Sequence, residues 1–286
     1  MKLINVIDTY KSFTFIDLFA GIGGFHLAAK QNNGKCIFAC EIDRAARQTY
    51  QLNHKIDKNI FAEDITKILV DDIPKHDVLF AGFPCQPFSQ AGLKSGFDDI
   101  RGTLFFHIAN IIKNKQPKAF FLENVRYLLN HNSGKTFTKI NEVITQELGY
   151  SLSYKVVKAS DFGLPQHRPR LFMIGFKDTN IKFDFPDKIP LKKTMSDIFN
   201  AECNKRIGFT LRVGGRGSKI NDRRNWDSYL VNNEIVRLTP KEGALMMGFP
   251  KNFIFPVSET QAMKQLGNSV AIDAISNVIK SMVKYV

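Results

Sequence analysis

No apolar run in this chain approaches the length that crosses a bilayer, which excludes a helical membrane protein. The stretch Met1-Lys2-Leu3-Ile4-Asn5-Val6-Ile7-Asp8 lacks the layout of a secretory signal, so the expected compartment is the cytosol. Cysteine is scarce: Cys36, Cys40, Cys85 and Cys203 form neither a CxxC pair nor a regular framework. That excludes a disulfide scaffold and an iron-sulfur radical enzyme, and no metal is expected. Tryptophan occurs once, at Trp226, and there is no internal repeat or low-complexity tract. Acids are the minority, 27 Asp+Glu against 40 Lys+Arg, and the formal charge of +13 favours a polyanionic partner. Charge alone does not name it, since acidic membranes would attract the same surface. The 286 residues suffice for a large domain with its own core and a smaller lobe.

What is present alternates between strand and helix. Phe13-Thr14-Phe15-Ile16-Asp17-Leu18-Phe19 reads as a strand that runs into Ala20-Gly21-Ile22-Gly23-Gly24 and a helix from Phe25. Such a turn lets a ligand approach bare amides at a helix N-terminus, although it could equally be a plain connection. Its spacing departs from GxGxxG, which argues against a dinucleotide and a nicotinamide-dependent oxidoreductase. A second strand over 35–40 buries Cys36 and Cys40 and ends at Glu41 and Asp43, ahead of a helix over about 44–52. An acid at the end of the second strand is suited to ribose hydroxyls. Asn59-Ile60-Phe61-Ala62-Glu63-Asp64 repeats the pattern, with Asp64 able to accept from an exocyclic amine. Each acid could instead cap a helix, but together with the glycine turn they outline an adenosine pocket.

The chain is organised around Phe80-Ala81-Gly82-Phe83-Pro84-Cys85-Gln86-Pro87-Phe88-Ser89. The run from Asp77 to Ala81 fits a buried parallel strand whose carboxyl end carries Cys85 into a loop, where open α/β sheets keep their chemistry. A lone cysteine is commonly a small buried hydrophobe, but Pro84, Gln86, Ser89 and the following glycine-containing loop point to a nucleophile. A helix over 103–113 and a strand over 119–122 follow, and Glu123 leaves that strand at the same sheet edge as Cys85 if the two are parallel. An acid after four apolar residues sits where burial raises its pKa. Helix over 135–148 and strands over 154–158 and 170–176 come next, with Arg168 and Arg170 flanking Pro169 as cations aimed into a site.

Beyond Lys177 the composition changes. Between 204 and 224 stand Lys205, Arg206, Arg212, Arg216, Lys219, Arg223 and Arg224 against one acid, Asp222. Glycines among them, and Phe209, Trp226 and Tyr229 nearby, favour a folded polar lobe that meets phosphates and base edges over a disordered basic loop. A short helix over 240–247 and a longer one over 268–285 complete the reading.

These residues resemble the C5-cytosine DNA methyltransferases of bacterial restriction-modification type, in family order and over nearly the whole chain. Phe15-Ile16-Asp17-Leu18-Phe19-Ala20-Gly21-Ile22-Gly23-Gly24 is similar to the first motif, Gly82-Phe83-Pro84-Cys85-Gln86 to the catalytic motif and Glu123-Asn124-Val125 to the next. Arg101-Gly102-Thr103-Leu104-Phe105, Gln166-x-Arg168-x-Arg170, Arg237-Leu238-Thr239-Pro240 and Gly267-Asn268-Ser269-Val270 match further motifs.

The resemblance implies an α/β, Rossmann-like S-adenosylmethionine-dependent methyltransferase fold, with a mostly parallel sheet and helices on both faces. It divides the chain into a catalytic domain (1–176), a target-recognition domain with its bracing segment (177–261) and a C-terminal helix (262–286). S-adenosyl-L-methionine is implied around Phe19, Gly21, Gly23, Glu41, Ile42, Asp64, Ile65 and Asn268. Ile42 departs from the aromatic residue that several members carry there. Catalysis is implied at Cys85, Glu123, Arg168 and Arg170. Double-stranded DNA is the implied partner, met by Ser89, Arg212, Arg216, Lys219, Arg223 and Arg224, with the loop over 90–101 as a lid. One copy is expected to act alone as a monomer, a cognate restriction endonuclease need only share its site, and an RNA C5-cytosine methyltransferase is the rival reading.

Overall fold

The computed structural model describes residues 11–84 and 103–286. Seven strands form one sheet: β1 (Phe13–Leu18), β2 (Gly34–Cys40), β3 (Phe61–Ala62), β4 (Val78–Gly82), β5 (Ala119–Val125), β6 (Ser153–Lys158) and β7 (Pro169–Phe176). Their order is β3-β2-β1-β4-β5-β7-β6. Neighbouring strands are parallel except at β7, which runs antiparallel to both β5 and β6. The order reverses between β1 and β4, and a crevice opens beyond the carboxyl ends of strands at such a point.

Side chains alternate across the strands and divide the core in two. On one face Phe13, Phe15, Phe80, Phe121 and Phe172 meet α1 (Gly24–Lys30) and α8 (Ile272–Met282). On the other, Ile16, Leu18, Leu79, Phe120 and Leu122 meet α3 (Leu104–Lys115) and α4 (Lys135–Glu142). Helix α2 (Arg44–His54) begins where the Asp43 carboxylate accepts from the Ala45 and Ala46 amides at 2.8 and 3.0 Å. Helix α6 (Pro240–Met246) begins with Thr239 and Glu242 capping each other's backbone, and Pro240 suits its first turn.

The segment after 177 folds. Helix α5 (Met195–Phe199) and the hairpin of β8 (Ser228–Val231) and β9 (Glu234–Arg237) enclose Leu211, Trp226 and Tyr229, each about 1% exposed. This core is continuous with the α1 and α8 face of the sheet. The helix expected over 268–285 is shorter: α8 runs from Ile272 to Met282, and an unexpected helix, α7 (Glu259–Asn268), ends where it was to begin. Ser269 ends α7 with an extended ψ of 171°, because its carbonyl is taken by Arg168 while Val270 packs over Gly24. Strand β5 runs to Val125, beyond the expected 122, because its pairing with β7 continues through Val125 opposite Arg170. The helix expected over 135–148 turns π-helical from Val143 to Glu147.

Phe121 is fully buried, with its ring centroid 5.2 Å from Phe25 and 5.0 Å from Phe172. Phe121→Ala is expected to cost roughly 3–5 kcal/mol, through reduced burial and the cavity left behind. Denaturant unfolding monitored at Trp226 checks this, and an unchanged midpoint would contradict the packing described.

Candidate active site

A cavity of about 680 Å³ lies at the carboxyl ends of β1, β2, β4 and β5. At one end its wall is Phe19, Gly21, Glu41, Ile42, Asp64 and Ile65; at the other, Gly82, Pro84, Glu123, Arg168, Arg170 and Arg212; Asn268 and Lys264 also face it. Cys85, Ser89 and the loop over 90–101 lie outside the described residues.

Topology brings the acid and the arginine together. Glu123 shares the face of Phe121, and Arg170 that of Phe172, because residues two apart on a strand point the same way. The reversed β7 sets Phe172 opposite Glu123, so the start of β7 lies beside the end of β5. Arg170 Nε then reaches Glu123 Oε1 at 3.0 Å. Glu123 is 8% exposed, and burial raises its pKa against the lowering pull of Arg170 and Arg168. Parallel β4 sets Gly82 opposite Glu123, and Asn124 Nδ2 donates to the Phe83 carbonyl at 2.8 Å, which fixes the strand end that leads to Pro84.

Arg168 has other partners than Arg170. It is 2% exposed and donates to the carbonyls of Leu211 (3.1 Å), Gly267 (2.8 Å) and Ser269. Burial, and then the charge of Arg170, pull its pKa down to about 9, which leaves it charged at neutral pH. Arg168 thereby joins the start of β7, the start of the basic segment and the end of α7.

At the other end, Gly21 has a φ of 56° and donates its amide to Glu41 Oε2 at 2.7 Å, while the Asp43 amide donates to Oε1 at 2.8 Å. Glu41 therefore locks the glycine turn to β2, and burial raises its pKa. Asp64 caps a short turn by accepting from the Thr66 amide and hydroxyl at 3.0 and 2.8 Å. These bonds hold its pKa below the usual carboxylate range. Ile42 stands 70% exposed on the rim.

Gly23, expected at the cofactor, is not in the cavity wall. A β-carbon there would come within 2.0 Å of the His54 ring, whose Nε2 donates to the Ile22 carbonyl at 3.0 Å. His54 stacks on His26, and His26 Nδ1 meets the Tyr50 hydroxyl at 2.8 Å above buried Asp17. Burial keeps both imidazoles neutral, lowering them to about 4 and about 3. The sequence reading also missed Thr210 and Lys264. Lys264 and Asn268 are four apart on α7 and so share a face, a signal available had that helix been recognised.

A switch-point cavity in a sheet of this order, with a glycine turn at one end and a buried acid–arginine pair at the other, is that of a Rossmann-like methyltransferase. Among solved structures, a mutant DNMT2 of Spodoptera frugiperda superposes with a TM-score of 0.73 at 19% identity, over 95% of this chain and 99% of that one. The S. pombe Dnmt2 methyltransferase gives 0.73 and 19%, over 95% and 98%; these likenesses concern the fold. The chain also matches the family model of the C-5 cytosine-specific DNA methylases over residues 13–212 and 202–284, and it belongs to that family. It is 40% identical to the Type II methyltransferase M.DsaV of Dactylococcopsis salina, over 96% of this chain and 87% of the relative. For M.HpaII of Haemophilus parainfluenzae the identity is 39%, over 96% and 90%.

Arg170→Met removes the positive charge nearest to Glu123 and is expected to raise the Glu123 pKa further, since burial then acts against less opposition. The carboxyl should keep its proton to higher pH than in the unchanged protein. Carbon-detected NMR titration of the glutamate carboxyls checks the direction, and a downward shift would contradict the pairing.

Proposed function

We propose that the protein transfers a methyl group from S-adenosyl-L-methionine to C5 of a cytosine swung out of double-stranded DNA, within a short specific site. The observation that carries this is the switch-point cavity, with nucleoside-type groups at one end and a charged pair at the other. The residues present fit the cofactor. Gly21 presents backbone with no atom within 4 Å of where its side chain would stand, Ile42 and Ile65 offer apolar faces for a purine, and Glu41, Asp64 and Asn268 supply polar groups around them. Gly23 would act indirectly, by shaping the turn. When bound, the cofactor supplies an electrophilic sulfonium methyl.

C5 of cytosine is a weak nucleophile, and the chain's own groups would correct that. Cys85 follows Pro84 in sequence. Its thiolate would add to C6, C5 would then take the methyl and lose its proton, and Cys85 would be eliminated. Glu123, its pKa raised by burial, would hold a proton toward N3 and face the exocyclic amine while charge builds on the ring. Arg170 would pair with O2, and Arg168 would brace the wall. Extruding the base costs on the order of a few kcal/mol, which phosphate contacts from the basic lobe and Ser89 would offset. The loop over 90–101 would serve as the lid that closes on the extruded base. Among the described residues no helix is long and apolar enough to cross a membrane. The relatives' Type II names support a place in a restriction-modification system, beside an endonuclease that shares the site and need not touch this chain. Action as a monomer in the bacterial cytosol completes the reading.

Transfer of labelled methyl groups to unmethylated DNA and, separately, to transfer RNA tests the proposal, followed by bisulfite sequencing. Methylcytosine at one short DNA motif is expected, and label confined to RNA would overturn the DNA reading. Cys85→Ser is expected to bind DNA and cofactor while losing methyl transfer, and normal turnover by that variant would remove Cys85 from the mechanism.

A further inference from the structure

The cations between 204 and 224 are not equivalent. Arg224 is held by Asp222, with Nη2 to Oδ2 at 2.7 Å and Nε to Oδ1 at 3.0 Å. Arg216 is turned inward. Its Nη2 donates to the Leu238 carbonyl at 2.7 Å and to Glu259 Oε1 at 2.5 Å, and its Nε lies 3.5 Å from Asp227 Oδ2. Asp227 is fully buried and also accepts from the Gly217 amide at 3.1 Å. Moving Arg216 out to a phosphate would strand that buried carboxylate without a counter-charge. By contrast Arg212, Lys219 and Arg223 are exposed and have no ion pair among the described residues.

The attachment of the loop is equally specific. Glu259 stands in the first turn of α7. At the far end of the same helix, a side chain on Gly267 would come within 2.6 Å of the Arg212 backbone, and Arg168 joins the carbonyls of Leu211 and Gly267. The stretch from 211 to 217 is therefore tied to α7 at both ends, and α7 finishes at Asn268 in the cavity wall.

We propose that Arg216 is a positioning residue and not a DNA ligand: with Asp227 and Glu259 it holds the recognition loop along α7, so that Arg212, Lys219 and Arg223 face the duplex. This rests on reading the basic lobe as the DNA-facing one, and it changes the role expected of Arg216 from sequence. Removing one cation that neutralises a phosphate lowers the slope of log affinity against log salt by about one, whereas a displaced loop loses discrimination between sites.

The experiment measures binding of the full chain, across a salt series, to a short duplex carrying the site that bisulfite sequencing identifies and to one with that site scrambled. Arg216→Met is expected to keep the slope on the scrambled duplex and to lose about tenfold in discrimination. Arg216→Lys should recover part of that loss. The triple variant Arg212→Ala, Lys219→Ala, Arg223→Ala should lower the slope by about two or three. A slope lower by about one in Arg216→Met, with discrimination retained, would make Arg216 a phosphate ligand and overturn the proposal. If Arg216→Met does not fold, Glu259→Ala removes the acceptor on α7 and leaves the Arg216 contacts with Leu238 and Asp227 in place. It should lose discrimination at unchanged slope, and full discrimination in that variant would overturn the proposal. Failure of the unchanged protein to bind either duplex would instead overturn the DNA-facing reading beneath it.

Discussion

The ion pair between Glu123 and Arg170 is the constraint on which the site depends. A carboxylate that is 8% exposed is stable there only if something offsets its lost hydration, a penalty of several kcal/mol for an uncompensated ion. The guanidinium 3.0 Å away does so in part, yet burial still leaves the pKa raised. The pair therefore combines a fixed positive charge with an acid that holds its proton more readily than a surface glutamate. Its existence requires β7 to run backwards. In an all-parallel sheet the start of β7 would lie at the opposite edge, and Arg170 would be a strand length from Glu123.

A second constraint joins the cavity to the lobe. Arg168 satisfies three backbone carbonyls, one on Leu211 and two in the turn where α7 stops. The lobe shares its core with the sheet, since Trp226, Tyr229 and Leu211 pack into the layer that covers one sheet face. Helix α7 runs from Glu259 to Asn268 and so crosses position 261. Any contact that moves the basic loop thus bears on a helix that also lines the cavity.

Much of this was legible in the sequence. Strands β2, β4 and β5 carry β-prone apolar runs, and Glu41, Gly82 and Glu123, at or next to their carboxyl ends, line the cavity. The cations at 168 and 170 were visible as a pair, but their different partners were not, because Arg168 lies just before β7 and the carbonyls that take it, on Leu211, Gly267 and Ser269, come from distant parts of the chain. Helix α7 escaped notice because its buried side holds Gln265 and Gly267 among the apolar residues, which blurs the helical period. Gly23 looked like a ligand residue, and the reason for it was a contact with His54, thirty-one positions away. The partner of Arg216 could not be read locally either, since Asp227 and Glu259 reach it only in the folded chain.

Covalent attack at C6 of cytosine is the step on which the proposed activity turns. The most direct test uses a duplex with 5-fluorocytosine at the modified position, where fluorine cannot leave as the C5 proton does. With S-adenosylmethionine present, intact-mass measurement should find protein joined to DNA, and peptide mapping should assign the bond to Cys85. Methyl transfer to ordinary cytosine without any such trapped complex would contradict the account.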